Sequence, residues 1–252
     1  MKKQIFSIAI VLALLITVFG LPPFGGGPTP GFAEGEDGAE GDEEFTSEVR
    51  RLPNGVYEVS ALTPMPGVTP EMVRWWFADY MQTTEHYKRW HPTAHIWMDW
   101  ENKVPGEYVG ASHLVHEYIG EDLSKLRIQF VPANTILGDV KLGPDDVAVC
   151  ALPGLLEQPV YGGKMCHIVR STPQGAEMRS RFWLGIVAKR DGNETVSSIE
   201  GLIGNTYLAR KIGVSETDAL ALMNHAIQEM GTLAGFIAEL YTEENKDFGG
   251  AE

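Results

Sequence analysis

The sequence predicts an α+β domain in which a curved antiparallel sheet packs against a long C-terminal helix. Three patterns indicate this class: a helical apolar period over residues 68–90, short segments with a period of two from residue 96 to about residue 212, and a second helical stripe that ends near Tyr241. Strands and helices that segregate along the chain are typical of α+β domains. The long helix is expected to cross the concave face of the sheet and leave a cavity there.

The first 33 residues predict an export signal. Lys2 and Lys3 precede an apolar run over residues 5–21, and a Gly/Pro-rich break then leads to Ala33. Cleavage near Ala33 would leave an exported protein, periplasmic or extracellular, that has no membrane attachment. The alternative is an uncleaved anchor, since about 17 apolar residues can just span a bilayer.

An acidic segment separates this signal from the folded domain. Residues 34–44 read EGEDGAEGDEE and contain seven acidic side chains. This composition predicts a disordered linker over residues 34–48, a folded domain over residues 49–242 and a polar tail over residues 243–252. The whole chain carries a formal charge of −14. Such an excess of acidic residues excludes nucleic acid as a partner.

The first helical pattern begins with a capping signal. Thr69 is a candidate N-cap, and Pro70 stands at the first helical position, where no hydrogen bond is lost. Pro92 disfavours the helical conformation at His91, so the helix is expected to end there. The apolar face recurs at steps of three and four residues and comprises Val73, Trp76, Phe77, Tyr80 and Met81.

Short segments with the period of a β-strand follow, and Gly and Pro residues separate them. Six to eight such strands predict an antiparallel sheet that is curved rather than flat. The clearest segments are residues 113–119, 126–130, 147–152, 165–169, 178–183, 186–189 and 196–202.

The strand around Glu117 has two possible orientations. His113, Val115 and Glu117 share one face, whereas Leu114 and Tyr118 share the other. If Glu117 points inward, it is a buried carboxylate, which is costly unless a cation or a donor neutralises it. If it points outward, it is an ordinary surface residue. Alternation alone leaves both orientations open.

The C-terminal helix carries a second candidate pair. Ser215 and Asp218 form a capping box, and an apolar stripe then continues to about Tyr241. His225 and Glu229 are four residues apart, so they lie on one face, at the margin of the stripe. Such a pair is usually a surface feature. It becomes a metal-binding candidate only if a second pair meets it from the sheet.

The two cysteines leave a further alternative open. Cys150 and Cys166 would lie in an oxidising compartment after export, where a disulfide can form. The sequence does not show whether their Cα atoms come close enough to bond. Two thiols are too few for a cysteine-based zinc finger.

Four features in order resemble the diacetylphloroglucinol hydrolase and phloretin hydrolase family. The resemblance covers residues 72–240, nearly the whole predicted domain. The features are the motif Tyr87-x-x-Trp90-His91-Pro92-x-x-His95, the strand motif His113-x-x-x-Glu117-x-x-Gly120, His167 in "MCHIVRS", and the helical pair His225 and Glu229.

The resemblance implies a helix-grip fold of the START and pollen-allergen type and a zinc-dependent hydrolysis of the carbon–carbon bond between an acyl group and a phenolic ring. Tyr87 and His167 would be the catalytic residues beside a small acylphenol substrate. His91 is an alternative to His95 as the first metal ligand. The implied Zn²⁺ ligands are His95, Glu117, His225 and Glu229.

Two other functions compete with this one: a helix-grip protein that binds an apolar aromatic or lipid ligand without chemistry, and a metal-dependent lyase or cyclase. A homodimer is left open. Phe182 stands where the family resemblance suggests a second tyrosine, so a contact to a phenol hydroxyl is expected to be absent. Aromatic walls for a flat substrate are expected from Trp75, Trp76, Trp97, Trp100, Phe182 and Trp183.

Overall fold

The computed structural model describes residues 45–139 and 142–246. The predicted signal peptide, residues 34–44 of the predicted linker and residues 247–252 of the predicted tail lie outside the described residues. Within the described part of the chain, no helix is both long and apolar enough to cross a membrane.

The described residues form one antiparallel sheet of nine strands. The strands are β1 (Glu48–Arg51), β2 (Tyr57–Pro66), β3 (His95–Glu101), β4 (Ser112–Ile119), β5 (Asp122–Val131), β6 (Val147–Leu155), β7 (Val160–Thr172), β8 (Gly175–Asp191) and β9 (Glu194–Val196). The helices are α1 (Pro70–Trp75), which continues into a π-helical turn (Trp76–Tyr80), α2 (Thr84–Trp90), α3 (Ala133–Leu137), α4 (Ile199–Gly204), α5 (Tyr207–Gly213), α6 (Glu216–Ala234) and α7 (Ile237–Glu244).

The predicted fold class is confirmed. The strand order is β1-β2-β8-β7-β6-β5-β4-β3, with β9 paired to β8, and α6 lies against the inner face of this curved sheet. Ala219 and Ala226 of α6 share a buried cluster with Val59 and Ala61 of β2. Because these facing side chains are small, the helix backbone can lie close to β2.

Irregular pairing accompanies the curvature of the sheet. The β7–β8 register shifts between Tyr161 and Gly163, and the β6–β7 register shifts between Ala151 and Gly154. Such bulges bend a strand and increase its twist. A Cβ at Gly163 would lie 2.6 Å from the carbonyl oxygen of Trp183, so a side chain would force the strands apart there.

The outer face of the sheet carries a second core. Ile136 and Leu137 of α3 pack there in one cluster with Cys150, Cys166 and Trp183. Cys150 and Cys166 are directly paired residues of β6 and β7, and they form a disulfide. The bond that the sequence left open is therefore present, buried beneath α3.

The first predicted helix is interrupted, which corrects the expectation of one helix over residues 68–90. Thr69 and Pro70 begin it as predicted, but the π-helical turn ends at Tyr80 and α2 begins anew. The cause is a second N-cap: the Thr83 side chain accepts a hydrogen bond from the backbone N–H of His86.

The strand predictions need three corrections. The strand predicted at residues 196–202 is wrong beyond Val196, because Ser198 caps the helix α4 that follows. Residues 178–183 and 186–189 belong to a single long strand, β8. The short helices α3 and α5, and the strands β1 and β2, were not predicted.

The C-terminal helix is also shorter than predicted. Its Ser215–Asp218 capping box is present, but α6 ends at Ala234 and α7 begins at Ile237. Gly235 is the C-cap of α6, and its backbone N–H bonds to the carbonyl oxygens of Gly231 and Thr232. The apolar stripe therefore extends over two helices.

Removing the disulfide should destabilise the domain. The cysteines are 16 residues apart, and a loop of this length corresponds to about 3 kcal/mol of stabilisation through the unfolded chain. The double variant Cys150→Ala/Cys166→Ala is expected to unfold at a lower urea concentration than the wild type. Equal free energies of unfolding for the oxidised wild type and the variant would contradict this, and added reductant should leave the variant unchanged.

Candidate functional site

The pairing of β3 with β4 brings two of the predicted site residues together. His95 lies directly opposite Glu117 in this ladder, and a bulge follows between His95 and Trp97. Because of the bulge, both His95 and Met98 are buried although they are three residues apart. Glu117 is buried beside Val115, so the inward orientation of its strand is the observed one.

Helix α6 supplies the other two residues from the opposite side. Glu229 Oε2 lies 3.5 Å from His95 Nε2 and 3.8 Å from His225 Nε2. Glu117 Oε2 lies 3.6 Å from His95 Nε2 and 3.9 Å from His225 Nε2. All four side chains are buried. These distances show that the structure brings together the pair from the sheet and the pair from the helix.

Tyr87 of α2 holds both sheet residues. Its ring stacks on that of His95, with centroids 3.7 Å apart and an interplanar angle of 8°. Its backbone carbonyl lies 2.8 Å from His95 Nδ1, and its hydroxyl donates a hydrogen bond to Glu117 Oε2. One residue therefore orients a histidine from β3 and a glutamate from β4.

The contact with the Tyr87 carbonyl determines which ring nitrogen of His95 carries the hydrogen. A carbonyl oxygen only accepts hydrogen bonds, so His95 Nδ1 must carry the hydrogen and donate it. In the neutral ring, Nε2 then presents a lone pair toward Glu117 and Glu229. Nε2 is buried and has no hydrogen-bond partner among the described residues. A histidine whose Nδ1–H binds a carbonyl is the usual arrangement of a metal ligand.

Burial also shifts the ionisation of these groups. The pKa of Glu229 is raised to about 8, mainly because burial disfavours the charged carboxylate, although His225 partly opposes this shift. The pKa of His95 is lowered by burial. The pKa of Tyr87 lies well above its usual value, because burial and the neighbouring Glu117 both disfavour a phenolate.

A possible metal site follows from this geometry. Ligand atoms of His95, His225 and Glu229 all lie within 4.8 Å of one another, and Glu117 Oε2 lies 3.6 Å from His95 Nε2 and 3.9 Å from His225 Nε2. Imidazole nitrogens together with carboxylate oxygens suit zinc and other divalent transition metals. The buried lone pair of His95 and the buried acids are groups that a bound cation would satisfy.

His91, the alternative first ligand, lies beside this group. Its ring centroid is 5.0 Å from that of His225 and 5.4 Å from that of His95. Its pKa is lowered to about 4, chiefly by burial. The short contacts with the two glutamates belong to His95, so the geometry favours His95 over His91 as the ligand.

His167 lies elsewhere on the inner face of the sheet. On β7, Met165 and Val169 pack in the inner core, whereas Cys166 packs in the outer core. His167 Nδ1 lies 2.7 Å from Ser180 Oγ, and its ring meets the Phe182 ring edge to face, with centroids 5.6 Å apart. Burial lowers the pKa of His167 to about 4.

Phe182 links His167 to the helix that bears the candidate ligands. It packs in one cluster with Ala226 of α6, the residue next to His225. Leu126, Ile128 and Met165 pack against the inner core but are only half-buried, so part of the inner face is open to solvent. This open apolar surface is suited to a flat, apolar ligand.

Two of the six predicted wall residues are not on this face. Trp183 packs in the outer core, and the ring of Trp97 lies 4.8 Å from that of His116 on the outer side of β4. Trp75, Trp76 and Trp100 pack in the inner core. The reason is strand alternation, which sends neighbouring residues of a strand to opposite faces.

One inner residue was given no role from the sequence. His113 is buried on β4, stacked on Trp100 with centroids 4.7 Å apart and edge-on to Tyr87. Burial lowers its pKa to about 3, and its Nε2 has no partner among the described residues. The sequence did contain a signal for its position, since strand alternation places His113 on the same face as Glu117.

The chain is similar in sequence to two kinds of known hydrolase. The chain is 29% identical over 214 residues to a 2,4-diacetylphloroglucinol hydrolase of Pseudomonas protegens, which covers 76% of this chain and 66% of that protein. It is 27% identical over 233 residues to a phloretin hydrolase of Eubacterium ramulus, which covers 86% of this chain and 77% of that protein.

Among solved structures, a major latex-like protein 151 of Panax ginseng superposes with a TM-score of 0.44 at 9% identity, covering 71% of this chain and 96% of that one. The family model described as the DAPG hydrolase PhiG domain matches residues 39–242, most of the chain. The chain therefore belongs to the DAPG hydrolase PhiG domain family.

Proposed function

We propose that this protein is a zinc-dependent hydrolase that cleaves the carbon–carbon bond between an acyl group and a phenolic ring. The observation that carries the proposal is the convergence of His95, Glu117, His225 and Glu229, in which a buried imidazole lone pair faces two buried carboxyl groups. The names of the relatives, which are hydrolases of diacetylphloroglucinol and phloretin, support the class of substrate.

Zinc would be held by His95, Glu117, His225 and Glu229. When bound there, it polarises a carbonyl oxygen and lowers the pKa of water. The chain prepares these ligands in two ways. The Tyr87 carbonyl keeps the hydrogen of His95 on Nδ1, and the Tyr87 hydroxyl restrains the Glu117 carboxylate.

The reaction consumes one water and moves one proton to the ring. The water oxygen bonds to the acyl carbon, the bond between the acyl carbon and the ring carbon breaks, and the ring carbon gains a proton. The products are a carboxylic acid and the deacylated phenol. The ring carbon leaves only when it is protonated, so a neutral proton carrier must lie beside the ring.

His167 is our candidate for that proton carrier. Burial lowers its pKa to about 4, so the imidazole is neutral near pH 7 and can accept a proton from a phenol hydroxyl before passing it to the ring carbon. Tyr87 stays protonated and can donate a hydrogen bond. Phe182 packs against His167 without a hydroxyl, so its contribution to substrate selection is shape and apolar contact.

We also propose that the enzyme works outside the cytoplasm. The apolar run over residues 5–21 supports export, and so does the Cys150–Cys166 disulfide, since such bonds persist in oxidising compartments. The natural substrate is then an acylphenol present outside the cytoplasm. Fractionating cells of the source organism and locating the protein tests this part of the proposal.

Zinc binding is expected to depend on the helical pair. The purified wild type should contain zinc in stoichiometric amount, and His225→Ala and Glu229→Ala should lose it, because each removes a ligand from a buried site. Tyr87→Phe should keep the metal but bind it roughly tenfold to a hundredfold more weakly, since it frees Glu117. Metal analysis and zinc titration measure both effects.

His116→Ala is the matched control for zinc binding. His116 lies on the same strand as Glu117 but packs against Trp97 on the other face, so its loss should leave zinc binding unchanged. Circular dichroism should show that all variants are folded. Folded His225→Ala and Glu229→Ala proteins with the zinc content of the wild type would overturn the metal assignment.

Product analysis distinguishes a hydrolase from the alternatives. The zinc-loaded protein, incubated with acylphenols such as 2,4-diacetylphloroglucinol and phloretin, should release a free carboxylic acid and the deacylated phenol. His167→Asn should lower kcat by about 10²–10⁴ without loss of zinc, because it removes the proton carrier. Binding of these compounds without release of acid would instead indicate a non-catalytic binding protein, and a rearranged product would indicate a lyase or cyclase.

A further inference from the structure

His167 has a single side-chain hydrogen-bond partner in the described structure, and it lies on the neighbouring strand. Ser180 of β8 is directly paired with His167 of β7, and Ser180 Oγ lies 2.7 Å from His167 Nδ1. Ser180 is 0% exposed and His167 is 2% exposed. Solvent therefore does not replace this contact when it is lost.

The hydrogen bond distinguishes the two flipped orientations of the His167 ring, which packing alone does not. The Phe182 ring meets the imidazole at 80° and restricts the plane of the ring. A half-turn about the Cβ–Cγ bond leaves the imidazole in the same plane and exchanges Nδ1 with Cδ2 and Nε2 with Cε1, at almost no cost in apolar contact. Only a polar partner on one side makes the two orientations unequal in free energy, because a buried ring nitrogen without a hydrogen bond is costly.

Backbone pairing makes the position of Ser180 precise. Its neighbours on β8 are held on both sides, since β8 pairs with β7 along one edge and with β2 along the other, where Ser180 faces Ala61. A serine in a central strand has little freedom to follow a moving histidine. The hydroxyl is therefore a fixed point for the imidazole.

We infer that Ser180 is a positioning residue, whose Oγ accepts a hydrogen bond from His167 Nδ1–H, so that the unprotonated Nε2 is the ring nitrogen offered to the substrate. This inference rests on the proposed role of His167 as proton carrier. Ser180 contacts no reacting atom in this scheme, and it acts only through His167. A histidine of fixed orientation can take a proton from the phenol and return it to the ring carbon with the same nitrogen.

Kinetics of Ser180→Ala provide the first test. We expect kcat to fall about tenfold, KM to stay within about twofold and zinc content to stay at the wild-type level, because binding and metal ligands are untouched. Ser180→Thr keeps a hydroxyl at the same position, so it should restore most of kcat. An unchanged kcat in a folded Ser180→Ala protein would overturn the inference.

Ser112 supplies the matched control. It is also a serine at 0% exposure in a strand, on β4, but its Oγ has no hydrogen-bond partner among the described residues. Ser112→Ala removes the same atoms from a similar environment, so it should leave kcat at the wild-type level. A loss equal to that of Ser180→Ala would show that burial of serine, and not contact with His167, determines the effect.

Nitrogen NMR of the His167 ring tests the inference without any substrate. Long-range ¹⁵N–¹H spectra of the full zinc-loaded protein should show one fixed tautomer with a hydrogen-bonded Nδ1 in the wild type, and averaged nitrogen shifts in Ser180→Ala. Averaged shifts in the wild type itself, or identical spectra in both proteins, would contradict it. If the wild type cleaves no acylphenol, the proposed function fails, and these spectra still decide the role of Ser180.

Discussion

On the inner face of this sheet, two buried glutamates face an unprotonated ring nitrogen of a histidine, and the rest of the site depends on this contact. Glu117 and Glu229 lie within 3.6 Å of His95 Nε2, whose hydrogen has been drawn to the other side of the ring by the Tyr87 carbonyl. Acceptors facing acceptors in an apolar surrounding are costly unless a cation or protons join them. Burial, and to a smaller extent the neighbouring Glu117, raises the pKa of Glu229 to about 8. A bound divalent cation would remove the cost of burying these groups, which supports the proposed metal site.

Several features of the fold serve this arrangement. Four elements, α2, β3, β4 and α6, meet at one point, and α6 is far from the other three in sequence. The N-cap at Thr83 starts α2 and sets the position of Tyr87, the bulge in β3 turns His95 inward, and the capping box at Ser215 starts α6. Small residues such as Ala226 let α6 approach the sheet. Loss of any one of these features is expected to shift Tyr87 or one of the candidate ligands relative to the others.

The sequence predicted best where the signal was local. The caps at Thr69 and Ser215 and the spacing of His225 and Glu229 depend on residues within one or two turns, and the structure has them as expected. The orientation of Glu117 was undecided, because alternation defines two faces without saying which is buried. The register of β3 against β4, which pairs His95 with Glu117, is a contact between strands that no single segment encodes.

The errors share a physical cause as well. Each of the predicted helices, over residues 68–90 and 215–241, is interrupted by a break although its apolar stripe continues. The period of the apolar residues indicates which face is buried, but it does not indicate whether the backbone hydrogen bonds of the helix continue. At the first break the backbone N–H of Met81 bonds to the Trp76 carbonyl, the five-residue step of a π-helix, and Thr83 then caps a separate helix, α2. Tyr87, whose ring stacks on that of His95, lies in this separate helix. The break in the predicted helix over residues 68–90 therefore lies beside the candidate site, as is common where a regular element is interrupted to place a functional residue, here Tyr87.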